Sequence, residues 1–343
     1  MRCRISRRRS LLDANMQARV ADGPAAAARP FTPIGLGMFD ERVLADLDVL
    51  DHLQLYGSTV KVADLLGLSQ SSCSRRYRSL SELLDLDFDR GDNGYVARHN
   101  VDVLTAMRQA AQKLRVRRSL LRCSSGWQAP ALGLPQSFRG LRIPSMSTSH
   151  MLSLLDGRLV DVWFGGLLEC QPLIPAALPM LQANRLALGQ NLLAVPLLRW
   201  NYVLVSHRSH PLQKRSVITP DDLAAYPSPA LAMGVAPLFT RALQEHGLAT
   251  CAYGGADYDP VRWEGGAADG HSLAVVPPHR LPELEAQLGV VPLPFPLGIQ
   301  EVMAVVGHRD VIADPCFVSA FQALRVALRQ SPLGRCSKVI WLH

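Results

Sequence analysis

The stretch from Gly57 to Leu80, GSTVKVADLLGLSQSSCSRRYRSL, constrains this chain more than any other, because it specifies two short helices joined by a tight turn. Ser58 is placed to cap the first helix, Gly67 to close it in a left-handed conformation, and Ser69 to cap the second. At 100° per residue, Cys73, Tyr77, Leu80 and Leu84 share one face of the second helix, the stripe a helix needs to pack on its neighbours. Ser71, Ser74, Arg75 and Arg78 fall on the other. A solvent face of short hydroxyls and guanidiniums suits the DNA major groove, where Arg reaches phosphates or guanine edges and Ser approaches without filling the groove. The segment therefore reads as a helix-turn-helix.

Its surroundings complete a module. Upstream, Val43, Leu44, Leu47, Leu50 and Leu53 recur at helical spacing and predict a third helix against which the pair buries its apolar side. Downstream, Asp89 to Val96 reads as a two-glycine turn between extended segments, a hairpin wing carrying Arg90.

Gly57-Ser58, Ala63, Leu66, Ser69-Gln70, Ser74-Arg75, Leu80, Leu84 and the run Asp85 to Arg90 together resemble the N-terminal domain of LysR-type transcriptional regulators. The chain departs from that family's pattern at Ser71, at Leu80-Ser81, at Asp85 where the family has Gly nearby, and at Ala97 to Asn100. The resemblance implies double-stranded DNA as partner and Ser69, Gln70, Ser71, Ser74, Arg75, Arg78 and Arg90 as DNA-binding residues.

After the wing, Leu104, Met107, Ala111 and Leu114 repeat at three- and four-residue steps between Asn100 and Arg118, a coiled-coil-like seam, with Arg108, Gln109, Gln112, Lys113 and Arg115 on the remaining positions. The family carries a dimerising linker helix at this place, so the expectation is a homodimer or homotetramer on a roughly palindromic site.

Residues 119–330 alternate β-rich and helical runs, which predicts parallel sheets with crossover helices. Strands are expected at Ser119–Cys123, Leu141–Pro144, Leu159–Phe164, Tyr202–Ser206, Leu273–Val276 and Val302–Val306. Helices are expected at Met146–Leu155, Pro220–Ala225, Pro237–His246, Pro282–Leu288 and Pro315–Leu328, the last with Phe317, Phe321, Leu324 and Leu328 on one face. Gly157 to Val162, Val195-Pro196-Leu197, His210-Pro211-Leu212, Ile218 to Leu223 and Gly270 to Pro277 resemble segments of the LysR-type effector domain. That resemblance implies a two-lobe, type 2 periplasmic-binding-protein-like α/β domain, with a first lobe trimmed before Leu141.

Ligands in such domains lie at the carboxyl ends of strands, where loops offer amides and hydroxyls to anions. Ser124-Ser125-Gly126 and Ser145 to Ser149 follow the first two strands. Ser124, Ser125, Ser147, Thr148 and Ser149 are thus the candidate residues for a small anionic effector, with helix capping as the competing role. Phe164-Gly165-Gly166 is a candidate crossing between lobes, Trp163 or Trp200 a candidate pocket wall or core residue, and Gly254-Gly255 and Gly265-Gly266 read as loop punctuation.

Composition sets limits on the alternatives. A net charge of +7 on 343 residues favours a polyanionic partner. Five of the first nine residues are arginines, and residues 1–37 read as a leader without stable structure, with Met16 or Met38 as possible starts. The seven cysteines contain no C-x-x-C pair, against a zinc site or disulfide framework and in keeping with a reducing, cytoplasmic compartment. No apolar run reaches the length of a membrane span. The sequence has no G-x-S-x-G, H-E-x-x-H, G-x-x-x-x-G-K-[ST] or G-x-G-x-x-G, so neither enzyme chemistry nor a cofactor is expected. The expected organisation is a leader (1–37), a winged helix-turn-helix (38–99), a linker helix (100–118), an effector domain (119–330) and a tail (331–343). Two other readings stay open: a two-lobe small-molecule-binding protein or enzyme whose N-terminal domain has lost DNA binding, and an interaction module whose basic domain docks an acidic protein.

Overall fold

The computed structural model describes residues 41–91, 94–127, 147–173, 185–232, 234–252 and 259–342. The leader, the strand expected at Leu141–Pro144, the loop residues Ser145 and Met146, the trimmed part of the first lobe and Gly254-Gly255 lie outside them.

Three helices, α1 (Glu41–Tyr56), α2 (Thr59–Leu66) and α3 (Gln70–Leu83), precede the hairpin of β1 (Phe88–Gly91) and β2 (Gly94–Ala97). The hairpin pairs Phe88 with Ala97 and Gly91 with Gly94 in antiparallel register. Gly67 closes α2 at φ 65°, donating its N–H to Ala63 O, a conformation open to glycine because it has no Cβ. Val49, Leu53, Val62, Ala63 and Cys73 form one buried cluster of this module, and Leu47, Leu50, Leu80, Leu104 and Ala111 form another.

The second cluster corrects the reading of α4 (Val101–Arg117). Two seam residues, Leu104 and Ala111, are buried against α1 and α3 of their own chain, and only Leu114 stands out, at 37 % exposed. The helix spends most of its apolar stripe inside the chain, leaving little of it for a partner helix. Arg108 and Gln112, expected on the polar side, are buried too.

The remainder is mixed rather than parallel. β3 (Cys123–Ser125) is followed by α5 (Thr148–Asp156), β4 (Val162–Gly166), β5 (Leu186–Leu188) and β6 (Leu192–Asn201). Next come β7 (Val203–His207), α6 (Pro220–Ala224), β8 (Pro227–Ala230), α7 (Pro237–Glu245), β9 (Ala249–Ala252), α8 (Pro260–Ala267) and β10 (Ala274–Val276). The chain ends through α9 (Leu281–Leu288), β11 (Val290–Pro292), β12 (Gln300–His308), α10 (Arg309–Ile312), α11 (Pro315–Gln330), α12 (Pro332–Arg335) and β13 (Ile340–Trp341). One sheet has the order β13-β6-β12-β4-β3 with β5 on β6, and another has β10-β7-β11. β12 runs antiparallel to both β4 and β6, and β7 antiparallel to β10 and β11; among the described residues only β3 with β4 and β8 with β9 are parallel.

The chain passes from the larger sheet to the smaller one after β6 and returns through β12, which gives two lobes crossed twice. One face of the larger sheet shares a continuous apolar core with the smaller lobe, including Phe164, Trp200, Leu204, Trp263, Met303 and Phe317. The other face packs α5 together with Leu55 of α1. Phe164-Gly165-Gly166 does not cross between lobes but lies in β4, paired with β12. Gly265-Gly266 sits in α8 rather than a loop, and the expected tail is pinned to the large sheet, where Ile340 pairs with Arg199.

Candidate nucleic-acid interface and regulatory cleft

Ser69 fixes the start of α3, its Oγ accepting from Ser72 N at 3.1 Å while its own backbone stays extended. Gln70 donates to Thr59 Oγ1 at 3.2 Å, tying the starts of α2 and α3 together. Cys73 and Leu80 are buried as the stripe requires, and Tyr77 holds the wing with its ring 5.6 Å from Phe88 and 6.0 Å from Tyr95. Gln54 of α1 donates to Tyr95 O at 2.9 Å and completes the attachment.

The opposite face is exposed at Gln70, Ser71, Arg75 and Arg78 and half-buried at Ser74. Arg75 leans on Ser72 Oγ at 3.5 Å, whereas Arg76 turns back towards Asp46 of α1. Arg90 lies in β1 opposite Tyr95; its side chain is outside the described residues. Asp85, where the family pattern has Gly nearby, adopts φ 50°, a left-handed position that Asp tolerates better than most residues. The start of α3, its attachment to the wing and its exposed face thus leave two arginines and several hydroxyls turned to solvent.

Beneath this module runs a buried ionic network that sequence reading missed. Asp51 of α1, fully buried, accepts from Arg108 Nε of α4 at 2.7 Å and from Arg122 Nη1, just before β3, at 2.5 Å. Arg108 also reaches Gln54, and Arg122 also pairs with Asp48. Asp161, at the start of β4, takes hydrogen bonds from Gln112 Nε2, from Arg115 and from Arg122 N. Arg158 extends the chain of contacts to Gln112, Asp310 and His308. Burial alone would raise the Asp51 carboxyl, but the Arg108 and Arg122 guanidiniums outweigh it and hold it below its ordinary value. Winged module, α4 and large sheet are thereby joined through charges that must stay paired.

The two segments that carry the candidate hydroxyls meet through Gly126 and Thr148, and Ser124 and Ser125 belong to β3 itself rather than to the loop after it. Gly126 and Thr148 line the same small cavity together with Trp127, Trp163, Gly166, Glu169, Phe239 and Glu301. Its volume is about 10 Å³, space for a single water. Ser124 is buried in β3, Ser147 caps α5 by accepting from His150 N, and Ser149 is exposed, hydrogen-bonded to Ser147. Trp163 fills the remaining room: a Cβ on Gly165 would stand 1.9 Å from its ring. Trp200 is core.

Two carboxylates wall the cavity. Glu169, on the short helical turn after β4, accepts from Leu238 N at 3.1 Å and Phe239 N at 2.8 Å, the first free amides of α7. Glu301 accepts from Leu168 N at 3.0 Å. Burial raises the Glu169 carboxyl and the two amides pull it partly back. Nearby Cys170 and, in β3, Cys123 are both pushed up to about 12, chiefly by burial. Neither thiol is ionised at neutral pH. Among the described residues no cluster of His, Cys, Asp and Glu has the geometry to hold a metal, and no helix is long and apolar enough to cross a membrane.

No protein-family model and no curated protein matches the sequence. Solved structures do match. A full-length OxyR variant from Pseudomonas aeruginosa superposes with a TM-score of 0.51 at 16 % identity, covering 86 % of this chain and 95 % of that one. ArgP from Mycobacterium tuberculosis gives 0.48 at 16 % identity, covering 85 % and 98 %. A probable transcriptional regulator from Pseudomonas aeruginosa gives 0.47 at 18 % identity, covering 84 % and 96 %. With its N-terminal helical module, connecting helix and mixed α/β domain in that order, the chain has a LysR-like fold.

Proposed function

We propose that this protein is a sequence-specific DNA-binding transcriptional regulator of the LysR type, acting as a homodimer or homotetramer. The observation that carries the reading is the recognition helix: its apolar stripe is consumed by α1, α2 and the wing, and Arg75 and Arg78 stand exposed on its other side. Such a face has no packing role and fits the major groove. Each module covers one half-site, so a symmetric pair of chains reads a roughly palindromic operator.

The two-lobe layout of the α/β half supports control by a small-molecule effector, whereas the cavity that Gly126 and Thr148 share, about 10 Å³, holds no more than a water as it stands. Thr148 lines that cavity, while Ser124 is buried in β3 and Ser147 serves the helix cap. Electrophoretic shift of duplex DNA by the full chain over a range of salt concentrations tests the reading. Arg75→Ala with Arg78→Ala should weaken binding and lower the slope of log affinity against log salt by up to about two per subunit. An unchanged slope would rule out α3 as the binding surface.

A further inference from the structure

We propose that Glu169 is the resident ligand of its own cleft, a built-in carboxylate that clasps the two lobes together in the absence of any small molecule. The residue belongs to the larger lobe, on the turn that follows β4. Its partners belong to the smaller lobe: Leu238 N and Phe239 N open α7, which leads to β9. A helix N-terminus presents unpaired N–H groups and a partial positive charge, the arrangement that binds carboxylates and phosphates. Here each carboxylate oxygen takes one of those amides at ordinary hydrogen-bond length, so this anion position is filled by the chain itself.

The walls fit the same account. Leu168, the neighbour of Glu169, is held by Glu301 through its backbone N–H, which fixes the turn that carries the clasp. Trp163 covers Gly165, Phe239 carries one of the capped amides and also lines the cavity, and about 10 Å³ is left beside the carboxylate. An anionic effector at this helix end would have to displace Glu169 and would face the Glu301 carboxylate as well. The clasp thus sets the specificity of the cleft: it excludes small anions and replaces the anionic effector that the hydroxyl loops predict. It rests on the two-lobe reading of the regulatory half and is independent of DNA binding.

Hydrogen exchange and thermal unfolding of the full chain without DNA test the clasp, so a chain that binds no duplex still gives a clear answer. In the unaltered protein the Leu238 and Phe239 amides should exchange slowly, and acetate or propionate should leave Tm where chloride leaves it. Glu169→Ala should speed exchange at those amides by at least about tenfold. Acetate should then slow that exchange and raise Tm, because a soluble carboxylate can occupy the vacated helix end. Glu169→Gln keeps the shape and one oxygen acceptor without the charge, and should show intermediate exchange and no response to acetate; this variant serves if the alanine protein fails to fold. The proposal is overturned if acetate stabilises the unaltered protein as much as the alanine variant, or if exchange at Leu238 and Phe239 stays at its original rate in the substituted proteins.

Discussion

Replacing Asp51 by Ala removes the carboxylate shared by Arg108 and Arg122, whose side chains are only 6 % and 8 % exposed. Breaking a buried ion pair from one side costs about 3–5 kcal/mol, because the remaining charge has lost both its water and its partner. Two guanidiniums are affected here, but Arg108 keeps Gln54 and Arg122 keeps Asp48, so the lower end of that range applies. Against a net stability of about 5–15 kcal/mol, this is a large fraction. In urea, with a slope near 3 kcal/mol/M, the midpoint followed by circular dichroism should fall by about 1 M. Exchanging all three residues for apolar ones, Asp51→Leu with Arg108→Met and Arg122→Met, removes the orphaned charges along with the pair and should restore the midpoint or raise it. A single variant within about 0.5 kcal/mol of the original, typical of a neutral surface change, would refute the claim that this network joins the winged module to the sheet.

Other consequences follow from the same geometry. The folded Asp51 carboxyl lies below its ordinary 3.8, so its contribution to stability is present above that pH and disappears as pH falls through the depressed value. Acid unfolding of the apolar triple variant should accordingly be flatter below pH 3.8 than that of the original. Leu104→Asp places a charge in a fully buried site and should unfold the winged module, whereas Leu114→Asp on the 37 % exposed position should leave the fold intact and report on self-association by light scattering. Thiol alkylation followed by peptide mapping should label the exposed Cys251 and Cys316 in the native protein, and Cys123 and Cys170 only after unfolding.

The winged module was legible because its signals are local. Ser58, Gly67 and Ser69 cap helices by short-range hydrogen bonds, and the Cys73, Tyr77, Leu80 stripe repeats within one helix. The α4 seam misled for the opposite reason: periodicity marks Leu104 and Ala111 as buried but does not say whether α1 of the same chain or a helix of another covers them. Alternating strands and helices pointed to parallel sheets, yet β12 arrives from about a hundred residues beyond β6 and pairs antiparallel with it, a long-range contact that no local pattern encodes. Asp51 carried a faint signal, a carboxylate on the same helix face as the apolar Leu44, Leu47 and Leu55. Glu169 carried none, since its two amide partners come from the other lobe.

Selection of duplexes from a random-sequence library by the full-length protein tests the central claim most directly. The recognition helix, its exposed arginines and a symmetric pair of modules require enrichment of a roughly palindromic site, with half-sites about one helical turn apart or a multiple of it. Arg75→Ala with Arg78→Ala should abolish that enrichment while the protein stays folded. Recovery of no common sequence, or of the same sequence by the double variant, would contradict the account.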